Sequence, residues 1–206
     1  MRVIILDNRG EGERERRQSS SPPCHSRTKT QMTDLLIAFV EESCDVLVLK
    51  SYAALNFKEI DAVMLSGSND RINTDFSKGH FAHRILQDLL FFLQAHSKAR
   101  CGVLGICYGM HILTKVFGGE VIRGEQLMKG EVVLPEFGRV MLNHHDYVVV
   151  PPHPFEVRLT RKDGKVLAME WEWLGWVGIQ HHVEATDDGK AWLFSWLSRF
   201  GVPELD

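Results

Sequence analysis

Residue 107 is a cysteine held between glycines, in Leu104-Gly-Ile-Cys-Tyr-Gly-Met110, where an apolar run gives way to a helical pattern. A sharp strand-to-helix turn carrying a nucleophile strains its own backbone, so it demands small neighbours, and the helix behind it stabilises a thiolate and offers backbone N–H groups. The same residues also suit a buried, inert cysteine before a glycine turn, because free cysteine often serves as a small hydrophobe. A working thiol needs a base, and the base needs a group to orient it. His182-Val-Glu184 offers both. Residues two apart on an extended strand point the same way, which would set imidazole and carboxylate side by side. With ten histidines in the chain, the competing reading of this pair is an incidental surface contact. Cys24, Cys44 and Cys101 form no C-x-x-C spacing with Cys107 or each other, which argues for reduced thiols rather than a zinc knuckle or a disulfide framework.

These residues need elements that converge on them. Val3 to Leu6 is a short continuous apolar run, the pattern of a strand buried on both faces. Met32, Leu35, Leu36, Phe39 and Val40 repeat as one helical stripe, and Ile85, Leu86, Leu89, Leu90 and Leu93 as a second. Strand patterns recur at 45–49, at 62–65 before the polar loop Ser66-Gly67-Ser68-Asn69-Asp70, and at 102–106 leading into Cys107. This alternation predicts an α/β fold, a doubly wound, mostly parallel sheet flanked by helices. In such a sheet the carboxyl ends of the strands share one edge, so the chain after Leu65, Ile106 and Gln180 is expected to meet there. Beyond Gly118-Gly119 the texture changes to short β-rich segments at 120–122, 131–134, 140–142, 147–150 and 155–159, read as a small antiparallel β extension. Val177-Gly-Ile-Gln is a further strand, and Trp192, Leu193, Trp196, Leu197 and Phe200 line a last helix, tryptophans for a core rather than for a ligand.

A length of 206 residues predicts one domain. The net charge of −3 and 44% hydrophobic content suit a globular chain and exclude disorder, collagen and coiled coil. No apolar run reaches the roughly 18 residues of a bilayer span, and the N-terminus lacks the pattern of a signal peptide. The expectation is a cytoplasmic protein with neither membrane nor nucleic acid as a principal partner. Residues 8–30, rich in charge, Ser and Pro, read as a long exposed insertion, either without function or acting as a lid or docking element.

Three ordered segments resemble the class I glutamine amidotransferases. Leu104 to Met110 is similar to that family's nucleophile motif, Gly178-Ile-Gln-His-His-Val-Glu184 to its Gly-Val-Gln-Phe-His-Pro-Glu segment, and Leu65-Ser-Gly67 to its oxyanion strand and loop. Asn143-His-His-Asp-Tyr-Val148 is most like the Ser-His-Gly-Asp stretch of GMP synthetase glutaminase domains. The resemblance spans about residues 1 to 200 and implies a flavodoxin-like glutaminase fold. It also implies hydrolysis of the glutamine side-chain amide through a Cys γ-glutamyl thioester, with no metal or cofactor. Cys107 becomes the nucleophile, His182 the acid/base and Glu184 its orienter. Gly67, Ser68 and Tyr108 become the oxyanion hole, and His111, His144 and Asp146 the substrate contacts. The substrate is then glutamine or another γ-glutamyl amide. A length of 206 residues leaves no room for a synthetase domain beside the glutaminase, so the resemblance implies that ammonia passes to a synthetase subunit in trans.

Departures from the family pattern keep alternatives open. Ser68-Asn69 replaces Gly-Pro, His111 replaces Gln, His181 replaces Phe and Val183 replaces Pro. A stand-alone γ-glutamyl hydrolase or peptidase is the second reading, and a regulatory or binding module without turnover is the third.

Overall fold

The computed structural model describes residues 1–9, 29–68, 72 and 80–201. Strands β1 (Arg2–Leu6), β2 (Asp45–Leu49), β3 (Ala62–Leu65) and β4 (Gly102–Ile106) alternate with helices α1 (Lys29–Glu41), α2 (Phe81–Ala95) and α3 (Tyr108–Val116). There follow β5 (Glu120–Leu134), β6 (Gly138–Val150), β7 (Glu156–Thr160), β8 (Val166–Trp171), β9 (Trp176–Ile179) and α4 (Asp187–Ser198). The strands form a 9-stranded sheet in the order β2-β1-β3-β4-β9-β8-β6-β5, with β7 beside β8. From β2 to β9 every pairing is parallel, and from β9 outward every pairing is antiparallel.

The period-2 alternation of each central strand sorts its side chains onto two helical layers. Ile4, Leu6, Val63, Leu65 and Val103 pack on one face with Ile85, Leu86 and Leu89 of α2 and Ile112 and Leu113 of α3. Val3, Ile5, Ala62, Met64, Leu104 and Ile106 pack on the other with Leu36 and Val40 of α1 and Leu193, Trp196 and Leu197 of α4. The doubly wound reading therefore holds, and of the α4 tryptophans Trp196 is buried, its indole N–H donating to the Gly175 carbonyl, while Trp192 packs half-buried against the same face.

The antiparallel part is larger than the small extension expected. The short segments at 120–122 and 131–134 are the two ends of one strand, β5, of 15 residues, and 140–142 and 147–150 lie in one strand, β6, of 13. Within the polar stretch of β5, residues 128–130 pair with 142–144 across the hairpin, while 124–127 fall in the register shift between Arg123 and Met128 that marks a bulge. Polar residues there face solvent on one side of a ribbon, so their hydropathy hides the continuity of the backbone pairing.

Most of the expected insertion, residues 10–28, lies outside the described residues. Its ends are not exposed loop. Asn8 and Arg9 are buried, Arg9 holding Asp7 at 2.6 Å and Asp34 of α1 at 3.0 Å, and α1 starts at Lys29. Charged residues are normally buried only when paired, and composition cannot show that pairing.

Two glycines let α3 lie close enough to the sheet to make the turn at Cys107, Gly105 on β4 and Gly109 against β3. A Cβ at Gly109 would lie 2.2 Å from the Leu65 carbonyl oxygen, and one at Gly105 would lie 2.6 Å from that of Gly109. Both clashes are with backbone and cannot be relieved by a rotamer change. Gly109→Ala is expected to lower unfolding stability by about 3 kcal/mol, the upper range for overpacking, read as a lower urea midpoint; an unchanged midpoint would show that α3 can move away from β3.

Candidate active site

β3, β4 and β9 are adjacent, with Leu65 opposite Gly105 and Ile106 opposite Ile179. Their carboxyl ends therefore deliver Ser66-Gly67, Cys107 and Gln180-His181-His182 to one edge, beside the switch in strand order at β1.

Cys107 sits at φ 54°, ψ −103°. A non-glycine residue there carries strain of order 1–3 kcal/mol. The surroundings hold it: its N–H donates to the Ile179 carbonyl at 2.7 Å, and its own carbonyl accepts from His111 N–H at 3.3 Å. The turn aims the thiol off the end of the sheet at the N-terminus of α3, where Tyr108 is the first helical residue and its backbone N–H belongs to the turn whose donors point out of the helix. Sγ lies 4.0 Å from the Asn143 carbonyl on β6 and 3.8 Å from Gln180 Nε2.

His182 Nδ1 is 2.7 Å from Glu184 Oε1, and both side chains are buried. The means differs from the alternation expected along a strand. β9 ends at Ile179, and Glu184 lies in a 3-10 turn over Val183–Ala185, which coils the carboxylate back onto the ring. His182 itself stays extended because it bridges to Met141 of β6, its N–H donating at 2.8 Å. The long hairpin thus fixes His182.

Burial alone would strip the proton from His182, yet the Glu184 carboxylate and the Cys107 sulfur outweigh it and raise its pKa to about 10. The sulfur acts on the ring both through its charge and as a side-chain hydrogen-bond partner. His181, the neighbouring candidate, has the opposite environment. It is buried against Phe137 with neither ring nitrogen hydrogen-bonded, and burial, then the His182 charge, lower its pKa to about 3. It stays neutral.

Of the other sequence candidates, Gly67 is packed against the pair: a Cβ on it would meet His182 Cε1 at 3.0 Å and Cys107 Cβ at 3.8 Å. Its loop is pinned by the chain just after β1, where Asn8 N–H donates to Ser66 Oγ at 3.1 Å and Asn8 Nδ2 to the Ser66 carbonyl at 3.0 Å. Ser68 is buried beyond it. His111 is buried one helical turn after Cys107 and bonds Gln180 Oε1 through Nε2 at 2.9 Å. His144 is buried, with Nδ1 3.1 Å from the Asp146 carbonyl and its ring against Tyr147. The Asp146 carboxylate turns to Arg123 at 3.6 Å. Gln180 touches the thiol but was not among the expected site residues; its place inside the Gly178-Ile-Gln-His-His-Val-Glu184 segment, at the end of a strand aimed at the site, is the available signal.

No helix among the described residues is long and apolar enough to cross a membrane. Comparison with known proteins identifies the family. The family model of glutamine amidotransferase class-I matches residues 30–199. A GMP synthase (glutamine-hydrolyzing) from Aeropyrum pernix is 36% identical over 123 residues, which are 49% of this chain and 22% of that protein. The aminodeoxychorismate/anthranilate synthase component 2 of Bacillus subtilis is 28% identical over 51% of this chain and 62% of its own length. The chain thus spans about a fifth of that GMP synthase. Among solved structures, a putative GMP synthase subunit from Thermoplasma acidophilum superposes with a TM-score of 0.62 over 96% of this chain and 92% of the other, at 17% identity. A glutamine amidotransferase from Thermotoga maritima gives 0.55 over 97% and 83%, at 18% identity. These structural likenesses show a shared fold. With a strained Cys107 beside the His182–Glu184 pair and a family match across most of its length, the chain belongs to the class I glutamine amidotransferases.

Proposed function

We propose that this chain hydrolyses the side-chain amide of glutamine with Cys107 as nucleophile and passes the ammonia to a synthetase subunit of the GMP synthase type. The observation that carries the chemistry is the buried triad: a cysteine on a strained elbow, coupled to a histidine that a carboxylate 2.7 Å away keeps protonated. The similarity to GMP synthases supports the choice of partner.

The Cys107 thiolate attacks the amide carbon, and the carbonyl oxygen takes up the negative charge. The Tyr108 N–H at the start of α3 and the loop of Gly67 and Ser68, both beside Cys107, supply the donors for that charge. The imidazolium of His182 gives its proton to the leaving nitrogen, the C–N bond breaks, and ammonia departs from a γ-glutamyl thioester. His182, now neutral, takes a proton from water as its oxygen attacks the thioester carbon. The C–S bond breaks, glutamate leaves, and thiolate and imidazolium are restored. Glu184 keeps the Nδ1 proton in place throughout, so that Nε2 is the nitrogen that exchanges protons.

Ammonia and glutamate release from glutamine by the purified chain tests this, with Cys107→Ala as the blank. Turnover that disappears in the variant is the expected result. Inert glutamine together with no labelling of Cys107 by a diazoketone analogue of glutamine would overturn it, and turnover of γ-glutamyl peptides in preference to glutamine would favour the hydrolase reading instead. Glu184→Gln is expected to lower kcat by about 10²-fold or more. Removing the carboxylate also removes what favours the imidazolium, so the His182 pKa falls from about 10 towards the ordinary value of about 6.5. The basic limb of the pH–rate profile then moves down by more than about one unit; a limb that stays in place would deny Glu184 its role.

A further inference from the structure

We infer that His111 is a positioning residue that acts on the nucleophile through Gln180, forming a directed hydrogen-bond relay from His111 to Gln180 to the Cys107 sulfur. The inference rests on the reading of Cys107 as the reacting thiolate, and it assigns to His111 a different task from direct contact with the substrate.

His111 lies four residues after Cys107 on α3, which places its ring on the same helix face one turn behind the sulfur. Its Nε2 is 2.9 Å from Gln180 Oε1, and Gln180 Nε2 is 3.8 Å from Cys107 Sγ. All three residues are buried, so water does not compete for these bonds and their dipoles act in a low dielectric. Gln180 is held from the other side by its backbone, whose N–H donates to the Leu167 carbonyl at 2.9 Å.

The direction of the relay follows from the chemistry of the groups. Oε1 can only accept, so His111 Nε2 carries the proton and donates it. With its oxygen occupied in this way, the amide of Gln180 turns its NH₂ to the sulfur, where a donor stabilises negative charge. The reversed amide would aim oxygen at a thiolate and leave His111 Nε2 facing N–H groups. The tautomer of His111 therefore sets the orientation of Gln180, and Gln180 supplies a third donor direction to the sulfur besides His182 and the start of α3. A residue without a donor at position 111 releases the amide to rotate.

The test is the pH dependence of Cys107 alkylation by iodoacetamide, a small neutral probe, without glutamine, read by peptide mass spectrometry so that the other cysteines do not contribute. His111→Phe is expected to raise the alkylation midpoint by about one pH unit, a roughly tenfold smaller thiolate fraction at low pH, as loss of a hydrogen bond to a charged group requires. His111→Gln retains a donor and is expected to restore most of the shift. Gln180→Met is expected to reproduce it, and His111→Phe added to Gln180→Met to change nothing further. A midpoint unmoved in both His111→Phe and Gln180→Met, with KM for glutamine raised in the former, would overturn the relay and leave His111 as a substrate contact. So would additive shifts in the double variant. Should His111→Phe fail to fold, the Gln180→Met and His111→Gln pair decides alone, an unmoved Gln180→Met midpoint refuting the relay. Cys107 unreactive at every pH in the unsubstituted protein would instead sink the nucleophile reading itself, a result distinct from failure of the relay.

Discussion

Everything at the site depends on one backbone conformation, the left-handed turn at Cys107 between β4 and α3. A non-glycine residue does not adopt it without compensation, and here compensation comes from packing on every side. Gly105 lets β4 and α3 close to backbone contact, Gly109 lets α3 do the same with β3, and the Cys107 N–H continues the parallel ladder onto Ile179. The strain cannot relax unless α3 leaves β3 or β4 leaves β9. Once the turn is fixed, the thiol projects from the sheet edge and the first-turn N–H groups of α3 lie beside it.

The electrostatics are built on the same edge by burial and pairing. His181 and His182 are adjacent in sequence and equally buried, yet one is held neutral and the other protonated. The difference is a carboxylate. Desolvation acts on both rings, but of the two only His182 has the Glu184 carboxylate and the Cys107 sulfur as partners. Breaking such a buried pair costs several kcal/mol because the remaining charge has no water to turn to, so the arrangement is held as tightly by folding as by any catalytic need. His181, neutral, packs its ring against Phe137 beside this pair.

The antiparallel half of the sheet is part of the site, not an appendage to it. β6 contributes the bridge that keeps His182 extended, through Met141, and the carbonyl of Asn143 beside the sulfur. The parallel half alone would carry a cysteine and a loop with nothing to hold His182. Residues as distant in the chain as 67, 107, 143 and 182 therefore meet at one edge, and the hairpin is long because it must reach from its own partner strand to the end of β9.

Much of this was legible in the residues. The β and α patterns of the first half, the glycines about Cys107 and the His-Val-Glu spacing are local signals, set by side-chain periodicity and steric demand, and they survive without knowledge of neighbours. They suffice for a doubly wound sheet, a cysteine on a turn, and a histidine with a carboxylate two residues on. What those residues became was settled in three dimensions. Packing coiled Glu184 back through a 3-10 turn instead of along a strand and merged the short β segments into two long strands whose polar middle hides the pairing. It also buried Arg9 through ion pairs with Asp7 and Asp34, and set Gln180 between His111 and the thiol. Each of these is a contact between segments apart in the chain or a turn fixed by such contacts, and side-chain pattern along a single segment records which face is apolar but not which polar group will meet it there.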